Sequence, residues 1–168
     1  MVLTKPELIA SFQNEVRILL HLTTKVERDR LDYRPSPKQR SALELLKYLT
    51  IMGPALIKAV KRGAFDPVVS TAAEKVAQAR SYEETLEAIA AQMGSYPALL
   101  EDMSDAEMRA EVVMFGHTSS RGFSLVNQVL CGCAAYRTQL FLYLKACGQG
   151  ELSTWNLWAG MDAPAAKV

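Results

Sequence analysis

The sequence predicts an all-α fold: a four-helix bundle with kinked helices and short extra helices. Three observations support this prediction: recurring helix-start signals, long stretches with helical spacing of apolar residues, and the lack of long alternating, strand-like segments. The 168 residues, 49% hydrophobic and 22% charged, are enough for one domain that buries its own core. We therefore expect a single domain over residues 1–168.

Helix starts are marked by capping boxes, in which Ser or Thr is followed three residues later by Glu. The hydroxyl accepts a free backbone N–H of the first turn, and the carboxylate reaches back to the backbone of the capping residue. The sequence contains four such pairs: Thr4 with Glu7, Ser41 with Glu44, Ser81 with Glu84, and Ser104 with Glu107.

The first two long helices are predicted from about residue 5 to 26 and from about 42 to 62. Each carries apolar residues at helical spacing, and Gly63 follows the second. Gly53-Pro54 should kink or break the second helix, because proline lacks an N–H and clashes with the preceding turn.

The third and fourth long helices are predicted after Ser81, with a kink at Pro97, and from about Ser124 to Cys147. A short helix is expected around residues 71–79. The stretch "EVVMF" could form a brief extended piece. The C-terminal tail, about residues 155–168, should pack on the bundle end, where Trp155 and Trp158 either form a lid or help build a dimer contact.

Charge and composition exclude several classes of partner. A net charge of +1 gives no general attraction to phosphate backbones or anionic membranes, so we expect no nucleic acid and no membrane as partners. No apolar run approaches the ~18 residues of a membrane span, and the N-terminus turns polar too early for a signal peptide. Three cysteines, an odd count, argue against a secreted disulfide framework. A reduced, cytoplasmic protein is expected.

Two segments resemble the DinB-like (YfiT-like) bundle proteins. "LDYRPSPKQRSALELLKYL" resembles the stretch between their first two helices, a Tyr-Arg-Pro link, a Ser cap and x-Glu-Leu-Leu-x-His-Leu. "CAAYRTQLFLYLKACG" resembles their fourth helix, His-x-x-x-His-Arg-x-Gln-Leu followed by Tyr-Leu-Lys/Arg-x-x-Gly. The matching residues of this second segment are Arg137, Gln139, Leu140, Tyr143, Leu144 and Gly148.

The resemblance implies a bundle that, in many members, holds nickel or zinc through three histidines. One comes from the second helix and two, four residues apart, come from the fourth. Some members are transferases or isomerases that use mycothiol, bacillithiol or glutathione-type thiols, and others have no known activity. In this sequence the three histidine positions align with Tyr48, Gly132 and Tyr136.

These replacements are poor metal ligands. A neutral imidazole offers a lone pair at neutral pH, whereas a phenol, with a pKa of about 10, must first lose a proton. Because residues four apart share a helix face, Gly132 and Tyr136 should look into one space, opposite Tyr48. We expect a hydrogen-bonded pair of phenols there, no metal and no cofactor. Whether this centre is an open pocket or a filled core is left open by the sequence.

The remaining chemical side chains give no catalytic site. Cys131 and Cys133 diverge by about 200° on a helix and cannot chelate one ion together, and Cys147 sits where the helix dipole opposes a thiolate. His21 falls on a predicted solvent face. His117 lies in a glycine-flanked loop from which it could approach the mouth of the cleft.

Arg137 and Gln139 are expected to tie the fourth helix to its neighbours or to the link before the second helix. We take as candidates for lining a ligand pocket Tyr48, Gly132, Tyr136, Gln139 and His117. No catalytic residue is assigned.

Three functions compete on this evidence. The first is a non-catalytic protein of the DinB-like fold that binds a small molecule or a partner, with a homodimer expected. The second is a thiol-dependent transferase or isomerase with an altered or metal-free site, in which nickel or zinc would take part only if a metal site survives. The third, DNA binding, is disfavoured by the balanced charge. We favour the first, because a phenol cannot replace the metal that lowers the pKa of a bound water or thiol.

Overall fold

Helices make up most of the regular structure of the computed structural model, which describes residues 3–164. In chain order they begin with α1 (Lys5–Thr23), a 3-10 turn (Arg28–Arg30), α2 (Ala42–Leu49), α3 (Met52–Arg62), α4 (Pro67–Gln78), α5 (Tyr82–Ala90), α6 (Gln92–Leu100) and α7 (Asp105–Arg109). They continue, after the hairpin of β1 (Glu111–Met114) and β2 (His117–Ser120), with α8 (Arg121–Ser124), a π-helix (Leu125–Leu130), α9 (Cys131–Ala146) and a π-helical turn (Trp155–Ala159).

Four helical rods surround one core, which confirms the predicted bundle. The rods are α1, α2 with α3, α5 with α6, and the last helix, by which we mean α8, the adjoining π-helix and α9 as one run. The first rod contacts α5, α6 and α9. The second rod contacts the third rod and the last helix. Their facing side chains are almost fully buried, including Phe12, Leu45, Ile57, Ile89 and Leu140. Removal of this apolar surface from water is the main stabilising term of such a core.

All four predicted capping boxes are present, at the starts of α1, α2, α5 and α7. The predicted short helix is α4, which begins earlier than expected because the Asp66 side chain caps it. Among residues 3–164, every helix is too short or too polar to cross a membrane.

The second rod is interrupted at Thr50 and Ile51, just before Gly53-Pro54. The predicted break is therefore confirmed, slightly N-terminal to the proline. Pro54 is the third residue of α3, where a backbone N–H has no partner within the helix.

The third rod is interrupted at Ala91, which was not predicted, whereas the kink expected at Pro97 remains a prediction. Pro97 lies inside α6. Because proline has no N–H, the carbonyl oxygen of Met93 loses its usual helical partner. That oxygen accepts a hydrogen bond of 2.8 Å from Nε2 of Gln13 on α1. The first rod thus supplies a partner for the carbonyl that the proline leaves free.

The expected extended piece at "EVVMF" is β1, but its partner strand was not predicted. Strand β2 pairs with β1 in antiparallel register, with Met114 opposite His117. Phe115 and Gly116 form the turn, with φ values of 51° and 81° that match the two positive φ angles of a type I′ hairpin. His117 is therefore an exposed strand residue, and its placement in a loop was wrong.

The C-terminal segment runs along the second half of α1. Nη1 of Arg17 donates to the Ala159 carbonyl at 2.8 Å, and Nζ of Lys25 lies 2.7 Å from a carboxylate oxygen of Asp162. Trp155 and Trp158 are 45% and 71% exposed, and the lid or dimer contact expected of them remains a prediction. The rest of the predicted tail, residues 165–168, lies outside the described residues.

The same segment covers His21, which was predicted on a solvent face. The His21 side chain is only 15% exposed, and its Nε2 lies 3.1 Å from Nδ2 of Asn156. Burial is the largest cause that lowers the pKa of His21. The prediction failed because α1 alone does not reveal that a distant segment folds onto it.

Candidate functional site

A cleft of about 470 Å³ opens between the second rod, α4 and the last helix. Small-molecule sites in proteins typically have volumes of about 300–1,000 Å³. Tyr48, Gly132 and Tyr136 all line this cleft. The space left open by the sequence is therefore an open pocket and not a filled core.

One face of the last helix forms a wall of the cleft. Gln128, Gly132 and Tyr136 follow at four-residue intervals, which places them on the same side of a helix. Gly132 contributes no side chain to this wall. A Cβ added there would lie 3.5 Å from Cε of Met52, which is an ordinary van der Waals contact. The absence of a side chain, together with the neighbouring rings, therefore leaves the space that the cleft occupies.

The two tyrosines form an aromatic pair in the lining of the cleft. The rings of Tyr48 and Tyr136 pack edge to face, with centroids 5.1 Å apart and an interplanar angle of 72°. Burial, followed by the neighbouring Tyr136 phenol, raises the pKa of Tyr48 to about 12. The guanidinium of Arg40 lies 3.9 Å from the centroid of the Tyr48 ring. Tyr48 is thus a phenol that holds its proton firmly.

A second aromatic pair, Phe65 and Phe115, stands at the side of the cleft formed by the α3–α4 link and the hairpin turn. Their centroids are 5.2 Å apart. Phe115 has a positive φ, which is unusual for a bulky residue, and a conformation of this kind persists only where the surrounding structure holds it. The hairpin therefore brings an aromatic ring to the cleft from a distant part of the chain.

The overall structure is similar to that of YjoA, a DinB-like protein from Bacillus subtilis, with a TM-score of 0.66. The two sequences are 19% identical, and the match covers 87% of this chain and 94% of that one. The chain has the DinB-like fold. No protein-family model matches its sequence, and neither does any curated protein.

The donor groups of this DinB-like cleft do not fit a divalent cation. A phenol binds metal as phenolate, and the raised pKa of Tyr48 moves it further from that form. Gly132 has no side-chain donor. Within residues 3–164, no three His, Cys, Asp or Glu side chains are grouped so that they could hold a metal ion. The positions that the resemblance assigns to histidines are thus occupied by groups of a different chemistry.

Sequence reasoning missed Gln128, the cleft residue whose chemistry is most unusual. Its Oε1 atom is buried and has no hydrogen-bond partner within the described residues. Buried amide oxygens without a partner are rare in proteins and call for an explanation. The signal was available, because Gln128 lies four residues before Gly132 and shares its helix face.

Two other candidates lie away from the cleft. Gln139 donates from Nε2 to the Tyr143 hydroxyl, which in turn donates to the Arg40 carbonyl at 3.1 Å. It therefore ties the last helix to the end of the link before α2, in keeping with its predicted structural role. His117 is exposed on β2 and does not line the cleft.

A second face of the last helix, about 100° from the cleft face, carries a buried polar network. Arg137 donates to both carboxylate oxygens of Glu15, at 2.6 and 3.1 Å, and the two side chains are only 8% and 12% exposed. Beside them, burial raises the pKa of the Cys133 thiol to about 12, so this cysteine holds its proton. Cys131 is exposed on a different side of the helix. The divergence predicted for the two cysteines is confirmed.

Proposed function

We propose that this protein binds a small molecule in the cleft without catalysing a reaction and has lost the metal site of its DinB-like relatives. The observation that carries the proposal is the open cleft itself, with Tyr48, Gly132 and Tyr136 at the positions of the implied histidines. Cytoplasmic location and a homodimer remain predictions.

The lining of the cleft supports ligand binding. Aromatic rings and aliphatic side chains supply most of its surface, and polar groups are few, as in most small-molecule sites. A buried acceptor without a partner destabilises the protein by about 1–3 kcal/mol. A ligand that donates a hydrogen bond to Gln128 would recover part of that free energy, which favours the bound state.

The alternative is a thiol-dependent transferase or isomerase in which Tyr48 and Tyr136 donate protons. The raised pKa of Tyr48 favours a proton donor over a base. A thiol also needs a group that lowers its pKa, and metal ions supply that effect in related chemistry. The donor groups of the cleft do not fit such an ion, and we therefore rank binding first.

Filling the cleft tests the binding proposal. Gly132→Leu would place a side chain into the space, and Ala135→Leu adds the same side chain on the exposed face of α9. We expect 2-naphthol, a neutral aromatic with one O–H donor, to bind the wild-type protein and Ala135→Leu, but not Gly132→Leu. Ligand-observed NMR titration measures this, and circular dichroism checks that both variants are folded.

Two outcomes contradict the proposal. Equal binding by Gly132→Leu would place the probe elsewhere, and the absence of binding to the wild type would remove the support for an accessible site. The second claim of the proposal, the loss of the metal site, is tested by metal analysis of protein purified without a His-tag. Stoichiometric nickel or zinc would contradict the loss of the metal site.

A further inference from the structure

The cleft has an uneven set of polar groups. Within the part of the chain that the structure describes, Glu74 is the only charged residue that lines it. The nearby cations Lys58 and Arg62 line an adjoining cavity of about 190 Å³ between α3 and α4, not the cleft itself. The one ionised group of the described lining, the Glu74 carboxylate, is therefore a hydrogen-bond acceptor. The Gln128 Oε1 atom, which has no partner among the described residues, is a second acceptor.

We propose that the ligand is a protonated organic amine with an apolar or aromatic body. This inference rests on the binding function proposed above and names the class of its ligand. An ammonium group has a charge opposite to that of Glu74, and its N–H donors pair with the Gln128 oxygen when that buried amide turns toward the cleft. The Phe65 and Phe115 pair adds attraction, because the face of an aromatic ring draws a cation, whereas the Tyr48 ring already has the Arg40 guanidinium over it. The apolar body of the ligand would occupy the rest of the cleft.

An anionic ligand fits the same lining poorly. Its charge would face the Glu74 carboxylate, while no Lys, Arg or His among the described residues lines the cleft. An anion also offers acceptors, and the Gln128 oxygen needs a donor. The lining therefore selects by charge as well as by shape.

Arg40 limits the size of this charge effect. Its guanidinium lies 4.0 Å from Oε1 of Glu74, in a pair that is about half exposed, with side chains 39% and 45% accessible. A ligand ammonium would compete with Arg40 for the carboxylate. The contribution of Glu74 to the affinity for the amine should therefore be modest, and removal of Arg40 should increase that contribution.

Three matched compounds test the class of the ligand: 2-phenylethylamine, 2-phenylethanol and 3-phenylpropionate. By calorimetric titration of the wild-type protein, we expect the amine to bind about fivefold more tightly than the alcohol. The propionate should bind more weakly than either. Gln128→Leu should weaken the binding of 2-phenylethylamine by about tenfold, because it removes the acceptor.

Variants of the charged residues provide an independent readout. Glu74→Gln should abolish the preference for the amine over the alcohol, whereas Arg40→Gln should increase it. Glu83→Gln is the matched control, because Glu83 is an exposed carboxylate paired with Arg28 and does not line the cleft.

The outcomes separate this inference from the function on which it rests. If the alcohol and the propionate bind as tightly as the amine, or Glu74→Gln keeps the amine preference, the amine class is wrong while cleft binding stands. If neither these compounds nor 2-naphthol bind, the proposed function fails as well.

Discussion

The last helix presents two polar faces of opposite character. On the face toward α1, Arg137 donates two hydrogen bonds to the Glu15 carboxylate and another to the Leu157 carbonyl. On the face toward the cleft, Gln128 has a buried oxygen with no partner among residues 3–164, and the Tyr136 phenol borders open space. The two faces belong to residues that are neighbours in sequence.

The difference shows how to separate structural from ligand-binding polar groups. A satisfied network fixes how helices pack, and it has no free donor or acceptor for a ligand. A group left unsatisfied beside an open, aromatic cleft keeps that capacity. Because successive residues on a helix differ by about 100° in direction, Tyr136 and Arg137 serve different roles although they adjoin.

The largest predicted effect is loss of the satisfied pair. Arg137→Met leaves the Glu15 carboxylate buried without its partner, and breaking a buried ion pair in this way costs about 3–5 kcal/mol. Urea unfolding measures the change. Arg109→Met is the control, because its pair with Asp105 is exposed and should contribute less than about 1 kcal/mol. Equal losses from the two variants would mean that the buried network does not stabilise the bundle.

A smaller loss should follow from Gly53→Ala, which crowds the same side of the bundle. An added Cβ would overlap the hydroxyl of Tyr96, a ring that is 1% exposed and donates to Oε1 of Gln92 at 2.6 Å. Such overpacking costs about 1–3 kcal/mol.

Gly94→Ala in α6 is the control for Gly53→Ala, since an added Cβ there meets nothing within 4 Å. It should raise the free energy of unfolding by up to about 1 kcal/mol through helix propensity. Thermal unfolding compares the two variants. If both stabilise the protein, the contact between Gly53 and Tyr96 is not tight.

The sequence allows prediction of features that depend on residues close together in the chain. Capping boxes span four residues, and all four mark true helix starts. The shared face of Gly132 and Tyr136 also follows from local geometry, and so both residues were correctly placed toward one space.

Features that depend on distant segments were missed for a physical reason. The carbonyl oxygen that Pro97 leaves free in α6 finds its partner in the amide of Gln13, far away in sequence. The pairing of Phe65 with Phe115 requires a hairpin to fold back onto the α3–α4 link. The missing partner of Gln128 is itself a property of its whole surroundings, and no local pattern reports it.

The smallest predicted effect concerns the pH dependence of stability and comes from the cleft face. The pKa of Tyr48 in the folded protein is about 12, above its ordinary value of 10. The folded state thus keeps a proton that the unfolded state releases first. This contribution to stability is fully present below pH 10 and is lost as the pH rises toward 12. Urea unfolding from pH 9 upward should therefore show a steeper loss for the wild type than for Tyr48→Phe.

The sign of that difference also tests the donor groups of the cleft. A divalent ion that held Tyr48 as phenolate would lower its pKa below the ordinary value, and the folded state would then release the proton first. The wild type would gain stability relative to Tyr48→Phe as the pH rises, the reverse of our expectation. Shared titration of lysines cancels between the two proteins, and the sign therefore reports Tyr48 together with the Tyr136 phenol beside it. A reversed sign would place a cation on the face that we assign to an organic ligand.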